Sequence, residues 1–215
     1  MLDKYQSDLS NINNLDEEAT RLGMGGNLSP EVDEKLYKER MQKRKEIQSK
    51  RVKERNLEKG LVIVFTGNGK GKTTAALGMG LRTLGNGYKV AIIQFIKGAW
   101  ETGEKKAFEK FSNKIEWRSL GAGFTWETQN RNKDQFLVKE AWKAAQDYML
   151  DESYKLVILD EINIAIKLGY IDTEEIITFI NDLNINKNLR HVILTGRGAS
   201  KEIIEFADLV TEMKV

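Results

Sequence analysis

From Gly60 onward the chain alternates short apolar runs with longer segments of mixed polarity. The apolar runs are LVIVFT at 61–66, YKVAIIQF at 88–95, KIEWRSL at 114–120, KLVILD at 155–160, RHVILT at 190–195 and ADLVTEM at 207–213. Between them, helix-like segments fall at about 72–84, 133–150, 161–168, 173–184 and 200–206. Near-continuous apolar strands separated by helices imply a mostly parallel sheet that is covered on both faces. The pattern predicts a doubly wound α/β domain over 60–215, with a mostly parallel sheet of about six strands.

Upstream the pattern is different. Residues 35–57 contain neither glycine nor proline and are dominated by lysine, arginine, glutamate and glutamine, a composition that favours helix. Ser29 before Pro30 and Glu31 marks a helix start. Leu36, Tyr37, Met41, Ile47 and Val52 recur too irregularly for a coiled coil, so a surface helix is expected. Residues 1–34 are polar and Asn-rich, with Gly25-Gly26 and the only proline, and predict a poorly ordered arm. The expected organisation is therefore an acidic arm at 1–34, a basic helix at 35–59 and an α/β domain at 60–215.

Composition narrows the chemistry. The 215 residues, 40% of them hydrophobic, suffice for one well-buried domain and an appendage. No apolar run is long enough to span a membrane, and MLDKYQSDLS lacks the basic end and apolar stretch of a secretory signal, so a cytoplasmic location is expected. The absence of cysteine excludes disulfides, thiolate metal sites and cysteine nucleophiles, and the single histidine, His191, leaves little for a histidine-based metal site or triad. The net charge of +2 conceals an asymmetry: 1–34 carry eight acidic against two basic side chains, and 35–59 carry eleven basic against four acidic.

The segment Thr66-Gly67-Asn68-Gly69-Lys70-Gly71-Lys72-Thr73-Thr74 lies between an apolar strand and a helix. A glycine-rich turn there lets backbone N–H groups converge on phosphate oxygens at the positive end of the helix dipole. Lys72 adds a charge for the outer phosphates, and the Thr73 hydroxyl is a ligand for Mg²⁺. The loop therefore predicts a P-loop nucleotide-binding fold that holds the triphosphate of ATP through Gly67, Asn68, Gly69, Lys70, Gly71, Lys72, Thr73 and Thr74. Its first glycine is Gly67, one position later than the usual G-x-x-x-x-G-K-[ST] spacing, which would place glycine at Thr66.

Asp160 and Glu161 close the run KLVILDE. Many parallel strands end in a solvated acid, but beside a phosphate loop an acid at another strand's carboxyl end lies where Mg²⁺ needs further oxygen, so both are metal-site candidates. Arg197, in TGRG after the RHVILT strand, either approaches the nucleotide or stands as a turn arginine in solvent. Nothing in the pattern marks a base that would direct a hydroxyl at the γ-phosphate. In GAGFTWETQNR at 121–131, Phe124 and Trp126 serve either as ordinary packing or as an apolar wall for a large flat ligand. A phosphate-loop ATPase or kinase remains open on these motifs. So does a nucleotide-dependent nucleic-acid binder that uses the basic segment on phosphates.

The combination of TGNGKGKTT, VAIIQFIKGAW with its following TGE, GFTWETQNR, VILDEINIAI and HVILTGRGA resembles the P-loop type cob(I)alamin adenosyltransferases, the ATP:corrinoid adenosyltransferases. The likeness covers about residues 35–213, and the late glycine is this family's form of the loop. It implies that Co(I) of a reduced corrinoid such as cobalamin attacks the 5′ carbon of ATP and expels tripolyphosphate, with Lys72 and the loop stabilising the departing charge. It further implies Mg²⁺ or Mn²⁺ at Thr73, Asp160 and Glu161. Phe124 and Trp126 would act on the corrinoid face from which the lower ligand is displaced, and the helix around 39–54 would fold over the corrinoid, commonly in a homodimer. A reductant protein such as a flavodoxin would be the electron source. The chain departs from the family at Glu212-Met213-Lys214-Val215, where members commonly continue into a basic, glycine-containing tail ending in an aromatic.

Overall fold

The computed structural model describes residues 34–54, 58–96, 102–111, 113–120, 130–183 and 190–215. In chain order it contains α1 (Glu34–Glu54), β1 (Val62–Thr66), α2 (Lys72–Gly85), β2 (Lys89–Gln94), α3 (Gly103–Phe108) with a 3₁₀ turn at Glu109–Phe111, and β3 (Ile115–Ser119). Then follow α4 (Arg131–Leu150), β4 (Tyr154–Asp160), α5 (Ile162–Lys167), α6 (Thr173–Asp182), β5 (His191–Thr195), α7 (Lys201–Phe206) and β6 (Leu209–Glu212). The chain divides into two units, 1–57 and 58–215. The helix start expected at Ser29–Pro30 lies outside the described residues; α1 occupies most of the segment expected to be helical.

The second unit is built on one six-stranded sheet of order β3-β2-β4-β5-β1-β6, in which every pairing is parallel. The four inner strands, β2, β4, β5 and β1, are apolar on both sides because both sides are covered. Ile63, Phe65, Val90, Ile92, Leu156, Ile158 and Ile193 pack with α2 residues Ala76, Leu77 and Leu84 and with Phe108 of α3. Val62, Val64, Ala91, Ile93, Val157, Leu159, Val192 and Leu194 form the other core with Val138, Ala141 and Trp142 of α4, Ile176 and Ile180 of α6 and Ile203 of α7. Each such side chain removed from water contributes roughly 1.5–3 kcal/mol against its ordering entropy. The two cores hold the strands so that their carboxyl ends form one edge.

Helix α3 and its 3₁₀ turn were not expected from the apolar pattern. The local signal is Thr102, whose hydroxyl caps the helix by accepting from Lys105 N at 3.3 Å. Helices α4, α6 and α7 start near the expected positions because polar caps fix them: Asn130 accepts from Lys133 N, Asp172 from Glu174 N, and Ser200 from Ile203 N. Among the described residues no helix is long and apolar enough to cross a membrane.

Candidate functional site

Strands β1, β2, β4 and β5 end in Thr66, Gln94, Asp160 and Thr195, and all four side chains are buried. Parallel pairing brings these polar ends to the same edge of the sheet, at which the phosphate loop leaves β1 for α2. In open α/β sheets that edge is where ligands bind.

The loop is shaped by backbone contacts. Gly71 has φ 104°, a left-handed conformation that favours glycine, and it opens α2 with no side-chain cap. Helix α2 thus presents first-turn N–H groups and the positive end of its dipole without a capping side chain of its own. Gly69 N donates to Met213 O at 2.7 Å, and Met213 N donates to Thr66 O at 2.8 Å, so the segment after β6 runs along the loop. A side chain at Gly69 would collide with the Lys214 carbonyl. Lys72 is buried under the loop and donates to the carbonyls of Gly67, at 2.9 Å, and Gly69. Burial lowers the pKa of its ammonium, Glu161 pulls it back up, and the charge of Arg197 pushes it down.

The Asp160 carboxylate collects the strand ends. Its Oδ1 accepts from Thr73 Oγ1 and from Thr195 Oγ1, each at 2.8 Å, and its Oδ2 accepts from Gln94 Nε2 at 2.9 Å. Because Thr73 gives its proton to Asp160, its oxygen lone pairs remain for a cation. Thr195 Oγ1 in turn accepts from Glu161 N at 2.9 Å. Glu161 has φ 65° and ψ 19° at the start of α5, a strained conformation for a residue with a side chain. The arrangement resembles a cation site that shares its ligands with phosphate, since Mg²⁺ takes few protein oxygens and completes its shell with phosphate and water.

Thr66, the position where glycine is usual, has a role of its own. Its hydroxyl accepts from Ala199 N at 3.1 Å, and Gly196 N donates to Phe65 O at 3.2 Å. The turn 196–199 is therefore tied to β1 at both ends, and it carries exposed Arg197 beside the phosphate loop, close enough for its charge to act on Lys72. A glycine at 66 would lose one of the two ties.

The structure thus brings Lys72, Thr73, Asp160, Glu161 and Arg197 together with the glycine loop, while Asn68, Lys70, Gly71 and Thr74 are exposed on it. Phe124 and Trp126 lie outside the described residues. Gln94 and Thr195 were not singled out from sequence, and Thr66 was noted only as the residue standing where the usual motif has glycine. The available signal was a polar residue closing an otherwise apolar strand in each of QF, LTG and FTG.

A family model described as ATP:corrinoid adenosyltransferase BtuR/CobO/CobP matches residues 58–215, and one described as Cob(I)alamin adenosyltransferase N terminal matches residues 29–52. A corrinoid adenosyltransferase of Pseudomonas aeruginosa is 42% identical, over 88% of this chain and 91% of its own length. Proteins described in the same words from Sinorhizobium sp and Escherichia coli K12 are 44% and 40% identical, over 89% and 85% of this chain and 89% and 91% of their own lengths.

Proposed function

The chain belongs to the ATP:corrinoid adenosyltransferases and transfers the 5′-deoxyadenosyl group of ATP to the cobalt of a reduced corrinoid, and we propose that its phosphate loop acts by holding the triphosphate as a leaving group. The observation that carries this reading is the convergence of Lys72, the Thr73 hydroxyl oriented by Asp160, and the uncapped start of α2 at one place.

In the reaction the electron pair of Co(I) forms the cobalt–carbon bond to C5′, cobalt becomes formally Co(III), and the C5′–O bond breaks with its pair going to tripolyphosphate. The nucleophile carries no proton, so no base is needed. What the protein contributes is position, exclusion of water and stabilisation of developing negative charge. Lys72 supplies a cation, the α2 N–H groups supply dipoles, and Thr73 with Asp160 and Glu161 would hold Mg²⁺ or Mn²⁺ against the triphosphate. Such an ion adds positive charge against the phosphate oxygens. Arg197, on its tied turn, is assigned to the same charge, since its own charge already acts on Lys72. Phe124 and Trp126 are assigned to the corrinoid on the family resemblance, and the same resemblance supports a basic helix at 35–59 that covers the corrinoid, a homodimer and a separate reductant protein; a cytoplasmic location rests on the sequence pattern alone.

The test is a pair of titrations on the full chain. Lys72→Ala is expected to lose most of its ATP affinity. Phe124→Ala and Trp126→Ala are expected to retain it and to fail in corrinoid binding or reduction, read from the corrinoid's absorption spectrum. Equal loss of ATP affinity in all three variants contradicts the assignment.

A further inference from the structure

Gln94 closes β2 and is buried. Its side-chain amide is held from two directions. Trp117 Nε1 and Ser119 Oγ, both on β3, donate to Gln94 Oε1 at 3.0 and 2.8 Å, while Gln94 Nε2 donates to Asp160 Oδ2 at 2.9 Å. An indole N–H can only donate, so the amide oxygen must face Trp117 and the NH₂ must face Asp160. The amide is thereby locked in one of its two orientations. The backbone repeats the bridge: Leu120 N donates to Gln94 O at 3.2 Å and Phe95 N donates to Asp160 O at 3.0 Å.

A carboxylate beside a cation can rotate about its χ2 torsion unless each oxygen has a partner. In Asp160 one oxygen receives both threonine hydroxyls, and the opposite oxygen receives Gln94. Losing the Gln94 donor would remove this hold on Oδ2 and loosen the carboxylate to which the Thr73 hydroxyl donates, and with it the direction in which Thr73 offers its lone pairs to a cation. We propose that Gln94 is a positioning residue for the cation-bearing triphosphate. It fixes the Asp160 carboxylate, and through it the Thr73 hydroxyl, in the orientation the metal complex of ATP requires. The inference rests on the reading of Asp160 and Thr73 as the cation site. Outer partners of this kind typically alter metal affinity or activity by 10–100-fold when removed.

Two substitutions separate positioning from simple bridging of the strands. Gln94→Leu keeps the volume and removes both halves of the amide. Gln94→Glu keeps the acceptor for Trp117 and Ser119, the half that ties β2 to β3, but replaces the donor aimed at Asp160 with a second carboxylate oxygen. Binding of Mn²⁺ to the full chain with ATP and without corrinoid is counted by electron paramagnetic resonance, and folding of each variant is checked by thermal melting. Both variants are expected to bind Mn²⁺ at least about tenfold more weakly than the parent chain. In turnover both are expected to raise the KM for the metal–ATP complex while leaving the corrinoid KM unchanged. Parental Mn²⁺ binding in a folded Gln94→Leu, which offers Asp160 no donor at all, overturns the inference. Asp160→Asn serves as the reference. If it binds Mn²⁺ as the parent chain does, the cation-site reading itself fails, and the inference fails with it.

Discussion

At the scale of single residues, Gln94 and Thr195, neither of which carries a charge, both donate to the Asp160 carboxylate. Thr195 donates to Asp160 and accepts from Glu161 N, so replacing it with valine leaves a partly buried backbone N–H without that acceptor and a buried carboxylate without that donor. Thr195→Val is expected to lower stability in urea unfolding by about 1–3 kcal/mol. Glu161 is the opposite case, because its φ of 65° costs energy that glycine would not incur. Glu161→Gly is expected to unfold at equal or higher urea, a gain of up to about 1 kcal/mol, while binding the metal–ATP complex more weakly. A loss of stability would show that the strained conformation is not relieved by removing the side chain. The glycine loop, Lys72 and Thr73 were legible in the sequence because their chemistry depends on neighbours in the chain, and the two acids were legible only once that loop had been recognised. Gln94 and Thr195 were not. Their partners lie 66 and 35 residues away, and only the strand order brings them to Asp160.

Among the elements, strand boundaries were legible to within about two residues, since an apolar run buried on both faces has sharp ends. Helix α3 was not, because it is six residues long and its cap is a lone threonine. The start of β5 shows how an element end can carry a pH response. His191 is half-buried, its Nδ1 accepts from Leu61 N at 3.1 Å, and burial, with a smaller push from Lys155, lowers its pKa below the ordinary 6.5. An unfolded histidine therefore takes up its proton near pH 6.5 while the folded one resists. The stability gained from the neutral form is present above that pH and is lost as pH falls through 6.5 toward the lower folded value. Urea unfolding between pH 8 and pH 5 is expected to show this loss, and His191→Gln is expected to flatten it. An unchanged slope in the variant would assign the loss to other groups.

For the whole molecule, a doubly wound parallel sheet followed from the alternation of apolar runs and helical segments, but the order β3-β2-β4-β5-β1-β6 did not. Crossover order depends on which helix faces fill which side of the sheet, and no local spacing encodes it. That order nevertheless makes the site, because β5 stands between β1 and β4 and brings Thr195 and the Arg197 turn between the phosphate loop and its acids. A site assembled from four strand ends couples ligand binding to the stability of the entire sheet. ATP with Mg²⁺ at a hundredfold excess over its Kd is expected to stabilise the chain by about 2.7 kcal/mol, and Lys72→Ala is expected to abolish that gain at the same concentrations. The central claim, that the loop holds a leaving group and not a phosphate under attack, is tested most directly by the phosphate product. With ATP, Mg²⁺ and cob(I)alamin, the account predicts one intact tripolyphosphate for each light-sensitive adenosylated corrinoid formed. Orthophosphate released at a rate indifferent to the corrinoid would contradict it.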